Sequence, residues 1–258
     1  MSKLEIHQIP VLNDNYLYLI KDPDSDAVGI VDPAQADPVL EKLNELGWKL
    51  THILNTHHHW DHTGANLELK EKTGCTIVGS ASDAARIPGI DVEVREGEHY
   101  IFGTRQAKVI EVSGHTNGHI AYWFEESDAL FCGDTLFALG CGRLFEGTPM
   151  KMWESLSKLS ALPDQTEIYC AHEYTEANAQ FALTIEPQNS KLKARYDHIQ
   201  KLRAENKPTV PSTIGVEKAT NPFLRPAIID IQDNLNMQGA DVVDVFAEIR
   251  ARKDTFVN

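Results

Sequence analysis

Short apolar runs alternate with clusters of turn residues over the first thirty positions. The apolar runs at 4–12, 16–21 and 28–31 are typical of strands, whereas the polar segments 13–15 and 23–26 have the composition of turns. Consecutive strands joined by such short turns usually lie beside each other. The pattern therefore predicts an antiparallel meander at the start of the chain.

Helical and strand-like segments alternate over the next fifty residues. Asp37 and Pro38 suit the N-cap and first turn of a helix, and Gly47 suits its end. Apolar residues between them keep helical spacing, at Val39, Leu40, Leu43 and Leu46. The segments that follow predict a buried strand, a second helix and a further strand, at 52–55, 63–72 and 76–79.

A histidine-rich segment follows the strand predicted at 52–55. Residues 56–64 read Thr-His-His-His-Trp-Asp-His-Thr-Gly. Residues two apart in an extended segment project to the same side, so His57 and His59 are placed to hold one metal ion. Asp61 and His62 fall on the next bend and are free to face another ion. The lack of cysteine in the segment argues against a structural zinc finger. A solvated histidine-rich loop is the alternative interpretation.

Three later apolar runs each end just before a metal-binding side chain. The pairs are 109–112 before His115, 129–132 before Asp134, and 168–171 before His172. A single such residue is more often a turn or cap residue. Because loops at strand ends commonly carry functional residues, the three together with the histidine-rich segment predict one shared site.

These side chains divide into two groups of metal ligands. The first group is His57, His59 and His115, and the second group is Asp61, His62 and His172. Asp134 is placed to bridge the two groups with its two carboxylate oxygens. Histidine with carboxylate suits zinc, iron or manganese. We expect two divalent ions per chain, zinc first among them, and room for a bridging water, as in a catalytic site.

Composition narrows the class of protein. A chain of 258 residues can form a main domain with a smaller appendage, and its net charge of -14 opposes nonspecific binding to nucleic acid or anionic membranes. No apolar run is long enough to span a bilayer, and the N-terminus lacks the layout of a signal peptide. The four cysteines show no C-x-x-C pairing, which is typical of free thiols in a reducing compartment. We expect a cytoplasmic protein, with a monomer as the default state.

The strand pattern disappears after Tyr174. Two helices are predicted from apolar residues at helical spacing, at Ala177, Phe181 and Ile185 and then at Leu192, Tyr196, Ile199 and Leu202. Residues 208–226, rich in proline and threonine, are predicted to be irregular. A last helix near 241–252 places Arg250 and Lys253 three positions apart on one face.

Four motifs in this chain resemble those of the metallo-β-lactamase superfamily and, within it, the hydroxyacylglutathione hydrolase (glyoxalase II) family. They are Thr-His-His-His-Trp-Asp-His at 56–62, Gly-His-Thr-Asn-Gly-His at 114–119, Cys-Gly-Asp-Thr-Leu-Phe at 132–137 and Cys-Ala-His-Glu-Tyr-Thr at 170–175. The resemblance implies an α/β fold with an αββα sandwich. It assigns residues 1–172 to a dinuclear metal hydrolase domain and 173–258 to a small C-terminal helical domain that binds glutathione.

The resemblance also implies a glutathione-binding set. By position the set is Arg143, Tyr174, Arg250 and Lys253. Phe145 stands where some members have tyrosine, so one hydrogen bond to glutathione is expected to be absent. Taken alone, each basic residue is better explained as a solvated surface charge, and only the match in context favours a binding role.

The implied reaction is hydrolysis of S-D-lactoylglutathione or another S-(2-hydroxyacyl)glutathione to a 2-hydroxy acid and glutathione, the second step of methylglyoxal detoxification. A hydroxide held between two metal ions would attack the thioester, with Asp61 and Asp134 as the catalytic carboxylates. Three alternatives stay open: a glutathione persulfide dioxygenase with the same metal motif, a nuclease of the superfamily, and a metal-binding module without activity. The net charge and the lack of a basic stretch disfavour the nuclease.

Overall fold

Residues 2–256 are described in the structure, a computed structural model. Six strands of the first part of the chain form one sheet. They are β1 (Glu5–Val11), β2 (Asn15–Lys21), β3 (Val28–Val31), β4 (His52–Leu54), β5 (Thr76–Ser80) and β6 (Val92–Val94). Their spatial order equals their chain order. β1 to β3 are antiparallel, as the meander predicts, and β3 to β6 are parallel.

The remaining strands form a second sheet and a small hairpin. They are β7 (His99–Phe102), β8 (Arg105–Glu111), β9 (Ile120–Phe124), β10 (Ala129–Gly133), β11 (Leu136–Phe137), β12 (Gly140–Cys141), β13 (Glu167–Cys170) and β14 (Ser212–Thr213). β11 and β12 pair with each other, and the other six form a sheet in the order β14-β13-β10-β9-β8-β7. β10 and β13 are parallel neighbours, so their carboxyl ends lie side by side.

The α-helices cover the sheets and build the C-terminal region. They are α1 (Ala36–Leu46), α2 (Trp60–Thr63), α3 (Asn66–Thr73), α4 (Pro149–Ser160), α5 (Thr175–Ile185), α6 (Ser190–Ala204), α7 (Ile214–Thr220), α8 (Ile229–Leu235) and α9 (Val242–Thr255). Short 3-10 helices occur at Ala81–Asp83, Glu125–Ser127 and Pro222–Leu224.

Helices and sheets stack in layers because the strands are apolar on both faces. Along β2, Tyr18 and Ile20 pack into the core shared with the second sheet, whereas Leu17 and Leu19 pack into the core beneath α1 and α3. α4 packs with the second sheet through a buried face that includes Leu156. Burial on both faces requires continuous apolar runs rather than strict alternation. The predicted α/β architecture with an αββα sandwich is therefore confirmed.

Three local predictions need correction. The first helix starts at Ala36 with Gln35 as N-cap instead of Asp37, because a first turn leaves its backbone N–H groups free and so accepts Pro38 at its third position. The helix predicted at 63–72 is α3, which starts at Asn66 and ends before Gly74, and the short helix α2 precedes it. The segment 208–226 is not irregular throughout, because it contains β14 and α7.

A buried ion pair joins the turn after β2 to the start of β8. Arg105 is 1% exposed, and its Nε donates to Asp22 Oδ1 at 3.1 Å. Asp22 is fully buried and also accepts from the backbone and hydroxyl of Thr104, at 2.7 and 2.8 Å. This pair ties the two sheets together.

All four cysteines are buried free thiols. Among residues 2–256, none of the helices has the length and apolar character needed to cross a bilayer.

Candidate active site and metal centre

The predicted ligand residues meet at one edge of the two sheets. His57 and His59 follow β4, and Asp61 lies in the first turn of α2. His115 lies in the loop from β8 to β9, and Asp134 directly follows β10. His62 lies in α2. His172 completes the set, because it follows β13, whose end lies beside the end of β10. The structure thus brings together every residue that the sequence predicts for the metal site.

Three imidazole nitrogens converge in the first group. His59 Nδ1 lies 3.1 Å from His57 Nε2 and 3.1 Å from His115 Nε2. Side-chain nitrogens of all three residues lie within 4.8 Å of one another. Three nitrogens that face one point repel each other through their lone pairs or protons, unless a cation lies between them.

The second group combines two imidazoles with carboxylates. His62 Nε2 and His172 Nε2 each lie 3.5 Å from Asp61 Oδ2. Asp134 Oδ1 lies 3.5 Å from His62 Nε2 and 3.4 Å from His172 Nε2. Its other oxygen, Oδ2, lies 3.4 Å from His115 Nε2 of the first group. The Asp134 carboxylate therefore stands between the two groups.

Three of the imidazoles are held in place through the ring nitrogen that faces away from the ligand groups. His62 Nδ1 lies 3.1 Å from Asp32 Oδ2, and His172 Nδ1 lies 2.8 Å from Asp14 Oδ1. His115 Nδ1 donates to the backbone carbonyl of Arg143 at 2.9 Å. A proton held on Nδ1 leaves the Nε2 lone pair free for a metal.

Sequence reasoning missed three of the residues that hold the ligands in place. Asp32 follows β3 as Asp134 follows β10, so the strand-end pattern was a usable signal for it. Asp14 and Asn15 were interpreted only as turn residues. Asn15 Nδ2 donates to Asp61 Oδ2 at 3.0 Å and so orients that carboxylate.

Two further histidines support the ligands from outside the two groups. His119 is fully buried and stacks on His57 at 4.5 Å between ring centroids. Its Nε2 accepts a hydrogen bond from the backbone N–H of Asp134 at 3.1 Å. His58 points away from the two groups, and its Nδ1 lies 2.9 Å from Asp83 Oδ2.

Electrostatics differ between the two groups. Burial holds the pKa of His57 well below the ordinary value and lowers that of His59 to about 4, which favours neutral imidazoles. Burial also disfavours charge on His62 and His172, but the neighbouring carboxylates together outweigh burial and raise the pKa of both imidazoles, Asp134 with Asp32 for His62 and Asp134 with Asp14 for His172. The second group thus favours positive charge.

The donor set fits divalent metal ions. His62 Nε2 and Asp134 Oδ1 are buried and have no hydrogen-bond partner within residues 2–256, although unpaired buried polar atoms are costly. Both atoms point at the second group, where a cation would satisfy them. Imidazole nitrogens and carboxylate oxygens are ligands of zinc, iron and manganese. These residues and the superfamily match reported below support a dinuclear metal site.

A cavity of about 520 Å³ opens over this edge. The predicted glutathione-binding residues all line it together with the metal site, as do Phe137 and Asn178. The predicted four are Arg143, Tyr174, Arg250 and Lys253. Tyr174 stacks on His172 with 4.7 Å between ring centroids, so the cavity wall and the second ligand group are in direct contact.

The three cationic side chains of the cavity are not equivalent. The Arg143 side chain is 65% exposed, whereas Arg250 is 5% exposed and donates from Nη1 to the Cys141 carbonyl at 2.8 Å. Burial, with repulsion from the two arginines, lowers the pKa of Lys253 to about 8. Arg143 and Lys253 are therefore the cations more accessible to an anionic ligand, with Arg143 Nε 3.9 Å from Asp254 Oδ1, while Arg250 also holds the hairpin in place.

Comparison with known proteins places this fold and site in a class. The family model described as the metallo-beta-lactamase superfamily matches residues 14–172, and the one described as the hydroxyacylglutathione hydrolase C-terminus matches 173–256. A crystal structure of ETHE1 from Myxococcus xanthus has a TM-score of 0.67 and 28% identity, covering 96% of this chain and 99% of that one. The BLEG-1 B3 metallo-beta-lactamase shares the fold, with a TM-score of 0.66, 22% identity, and coverage of 86% and 100%.

Curated relatives define the family more narrowly. A hydroxyacylglutathione hydrolase from Methylococcus capsulatus is 59% identical over 98% of this chain and 99% of the relative. One from Rhodospirillum rubrum is 57% identical over 99% and 100%. The chain belongs to the hydroxyacylglutathione hydrolase family of the metallo-β-lactamase superfamily.

Proposed function

We propose that this protein hydrolyses the thioester of S-(2-hydroxyacyl)glutathione, with S-D-lactoylglutathione as its substrate and D-lactate and glutathione as products. This is the second step of methylglyoxal detoxification. The proposal rests on one observation: residues of both metal-ligand groups and the cationic side chains of Arg143 and Lys253 line the same cavity. The names of the curated relatives support the same reaction.

The metal ligands are assigned from the geometry above. His57, His59 and His115 would hold one ion, Asp61, His62 and His172 the other, and Asp134 both. When bound, two such ions supply Lewis acidity and a water that is deprotonated near neutral pH. We propose zinc, which suits this donor set, although iron and manganese suit it as well.

The chain's own residues position the attack. Asp61 lines the cavity, and the hydrogen bond from Asn15 fixes the direction of its carboxylate. We assign Asp61 to accept a hydrogen bond from the attacking water and so to orient the lone pair of that water. Burial alone would raise the pKa of Asp61, but the His62 imidazole 3.5 Å away and the hydrogen bond from Asn15 hold that pKa below the ordinary value, so the carboxylate is ionised at neutral pH.

The leaving group needs little help from the protein. A free thiol has a pKa of about 8.5, so a thiolate departs without a strong general acid. The glutathione part of the substrate carries carboxylates. Arg143 and Lys253 supply local positive charge for them in a chain whose net charge is -14. Tyr174 offers an aromatic wall beside them.

The division of labour between two parts of the chain belongs to the same proposal. Residues 1–172 supply the metal ligands, and 173–258 supply Tyr174, Arg250 and Lys253. The two family models meet at 172 and 173, which supports this boundary. We further propose a cytoplasmic monomer, for which size-exclusion chromatography with light scattering is the direct test of assembly.

Substrate discrimination tests the proposal. We expect S-D-lactoylglutathione to have a far higher kcat/KM than S-lactoyl-N-acetylcysteamine, which has the same acyl thioester without the peptide. Arg143→Ala should reduce kcat/KM about tenfold for the glutathione thioester, the worth of one charged hydrogen bond, and leave the small thioester unaffected. Equal losses on both substrates would contradict glutathione recognition by this cavity.

The alternatives give different results in the same assay. A persulfide dioxygenase would consume oxygen with glutathione persulfide and leave the thioester intact. A metal-binding module would take up metal and turn over neither compound.

A further inference from the structure

The segment between β12 and α4, residues 142–148, is here named the cavity loop. It carries Arg143, and it also carries Phe145, whose ring lies 5.1 Å from that of His115 and 5.9 Å from that of His59. The Arg143 carbonyl accepts the His115 Nδ1 hydrogen bond. The loop therefore carries a cation that lines the cavity and also contacts the metal ligand His115.

The cavity loop has no regular secondary structure of its own. Three of its backbone N–H groups donate to neighbouring segments: Gly142 N to Thr135 O at 3.2 Å, Glu146 N to His115 O at 3.3 Å and Gly147 N to Gly114 O at 3.1 Å. Gly147 is required there, because a Cβ would lie 2.5 Å from Gly114 Cα. Segments with so few backbone hydrogen bonds depend on side-chain contacts for a fixed position.

A chain of side-chain contacts reaches the cavity loop from the first sheet. The Arg86 guanidinium, beyond β5, binds both oxygens of Glu146, at 2.5 and 3.2 Å. Arg86 Nε also donates to Asp83 Oδ1 at 2.5 Å, and the other oxygen of Asp83 bonds to His58 at 2.9 Å. Bidentate arginine–carboxylate pairs fix orientation as well as distance.

The centre of this chain of contacts is rigid. Asp83 is 1% exposed and packs against Gly118, where a Cβ would lie 2.4 Å from the Asp83 Cβ. Glu146 is held a third time, since its Oε2 accepts from the backbone N–H of Asn117 at 2.7 Å. His58 stands between the ligands His57 and His59, so the contacts begin within the histidine-rich segment. The arrangement links the segment after β5 to the cavity loop and, through Asn117, to the loop between β8 and β9.

We propose that four residues form a latch that positions the cavity loop for substrate binding. The latch residues are His58, Asp83, Arg86 and Glu146. They are positioning residues that act through Arg143, and they set KM rather than the chemical step. The proposal rests on the proposed glutathione thioester hydrolysis and names the residues that tune its substrate specificity.

Arg86→Ala is the primary test. We expect KM for S-D-lactoylglutathione to rise about three- to fivefold, with kcat within about twofold of wild type, because an exposed ion pair stabilises by up to about one kcal/mol. Metal content should stay at the wild-type value. Arg86→Lys keeps the charge without the bidentate geometry, so its KM should lie between those of wild type and Arg86→Ala. Arg95→Ala removes an exposed arginine paired only with Glu93 and serves as the matched control.

Coupling to Arg143 separates positioning from a general structural role. If the latch acts through the loop, Arg86→Ala combined with Arg143→Ala should raise KM no more than Arg143→Ala alone. Hydrogen–deuterium exchange at the amides of Glu146 and Gly147 should accelerate in Arg86→Ala and not in Arg95→Ala.

Three results would overturn the latch. They are an unchanged KM in Arg86→Ala, a loss of metal in that variant, and additive effects of Arg86→Ala and Arg143→Ala. Should wild type fail to hydrolyse the thioester, the proposed function fails, and the exchange rates alone decide the latch. If Arg86→Ala does not fold, Arg86→Lys and Glu146→Gln replace it in the same assays.

Discussion

Asp32→Asn probes how the protein prepares His62 for a metal. Asp32 is 2% exposed, and its Oδ1 accepts from the backbone N–H of Thr56 at 2.7 Å. Its Oδ2 accepts from the Thr56 hydroxyl at 2.6 Å and lies 3.1 Å from His62 Nδ1. In Asp32→Asn the backbone N–H selects the amide oxygen, so the new NH₂ group must face His62.

The amide then reverses the hydrogen bond to the imidazole. If His62 kept its proton on Nδ1, two donors would face each other in a fully buried position, at a cost of about 1–3 kcal/mol. Moving that proton to Nε2 relieves the clash, but it removes the lone pair that points at Asp61 and Asp134. Loss of such a supporting contact typically weakens metal affinity about 10- to 100-fold.

The assay is a chelator-competition titration of metal binding on wild type and Asp32→Asn, with thermal unfolding of the metal-free proteins. We expect a weakened second site and, in the metal-free state, a stability loss of only about 1–2 kcal/mol, since the change is nearly isosteric. Asp128→Asn, at a surface aspartate paired with Lys3, is the matched control. Wild-type affinity for both ions in Asp32→Asn would refute the role assigned to Asp32.

Three further predictions follow from the geometry. Arg105→Ala leaves the buried Asp22 carboxylate without its cation and should lower the free energy of unfolding by about 3–5 kcal/mol in urea denaturation, and a loss below about 1 kcal/mol would contradict the buried pair. Lys253, with its pKa lowered to about 8, is charged below that pH and loses its charge as pH rises, so KM should increase between about pH 7 and 9. Lys253→Arg should keep KM flat over that range, and a rise in both proteins would exclude Lys253 as the cause. Asp134→Ala should lose metal and activity together, and wild-type turnover would disprove the bridge.

The site was readable from sequence because its signals are local. His57 and His59 lie two residues apart, and Asp134 and His172 each stand at the end of an apolar run. Such patterns depend only on strand geometry and on which residue types bind metals. Asp32 showed the same pattern, but one aspartate after a strand has many possible uses.

What the sequence did not predict depends on contacts between distant residues. The pairing of Arg86 with Glu146 joins positions 60 apart, and neither residue has a distinctive neighbourhood. The burial of Arg250 against Phe223 likewise needs the packed C-terminal region, whereas the helix face alone suggested an exposed cation. The sequence pattern did not predict helix α7, because proline and threonine surround it. In the structure Thr213 caps this helix and Ile214 is fully buried. Tertiary packing overrides local propensity in such segments.

The central claim is that a dinuclear metal site and a glutathione-binding cavity act together in thioester hydrolysis. Its most direct test measures S-D-lactoylglutathione hydrolysis by the purified protein, as loss of thioester absorbance and release of free thiol, with metal content determined on the same sample. The account predicts turnover with close to two divalent ions per chain, abolished by chelation and restored by added metal. Full metal loading without hydrolysis of the thioester would contradict it.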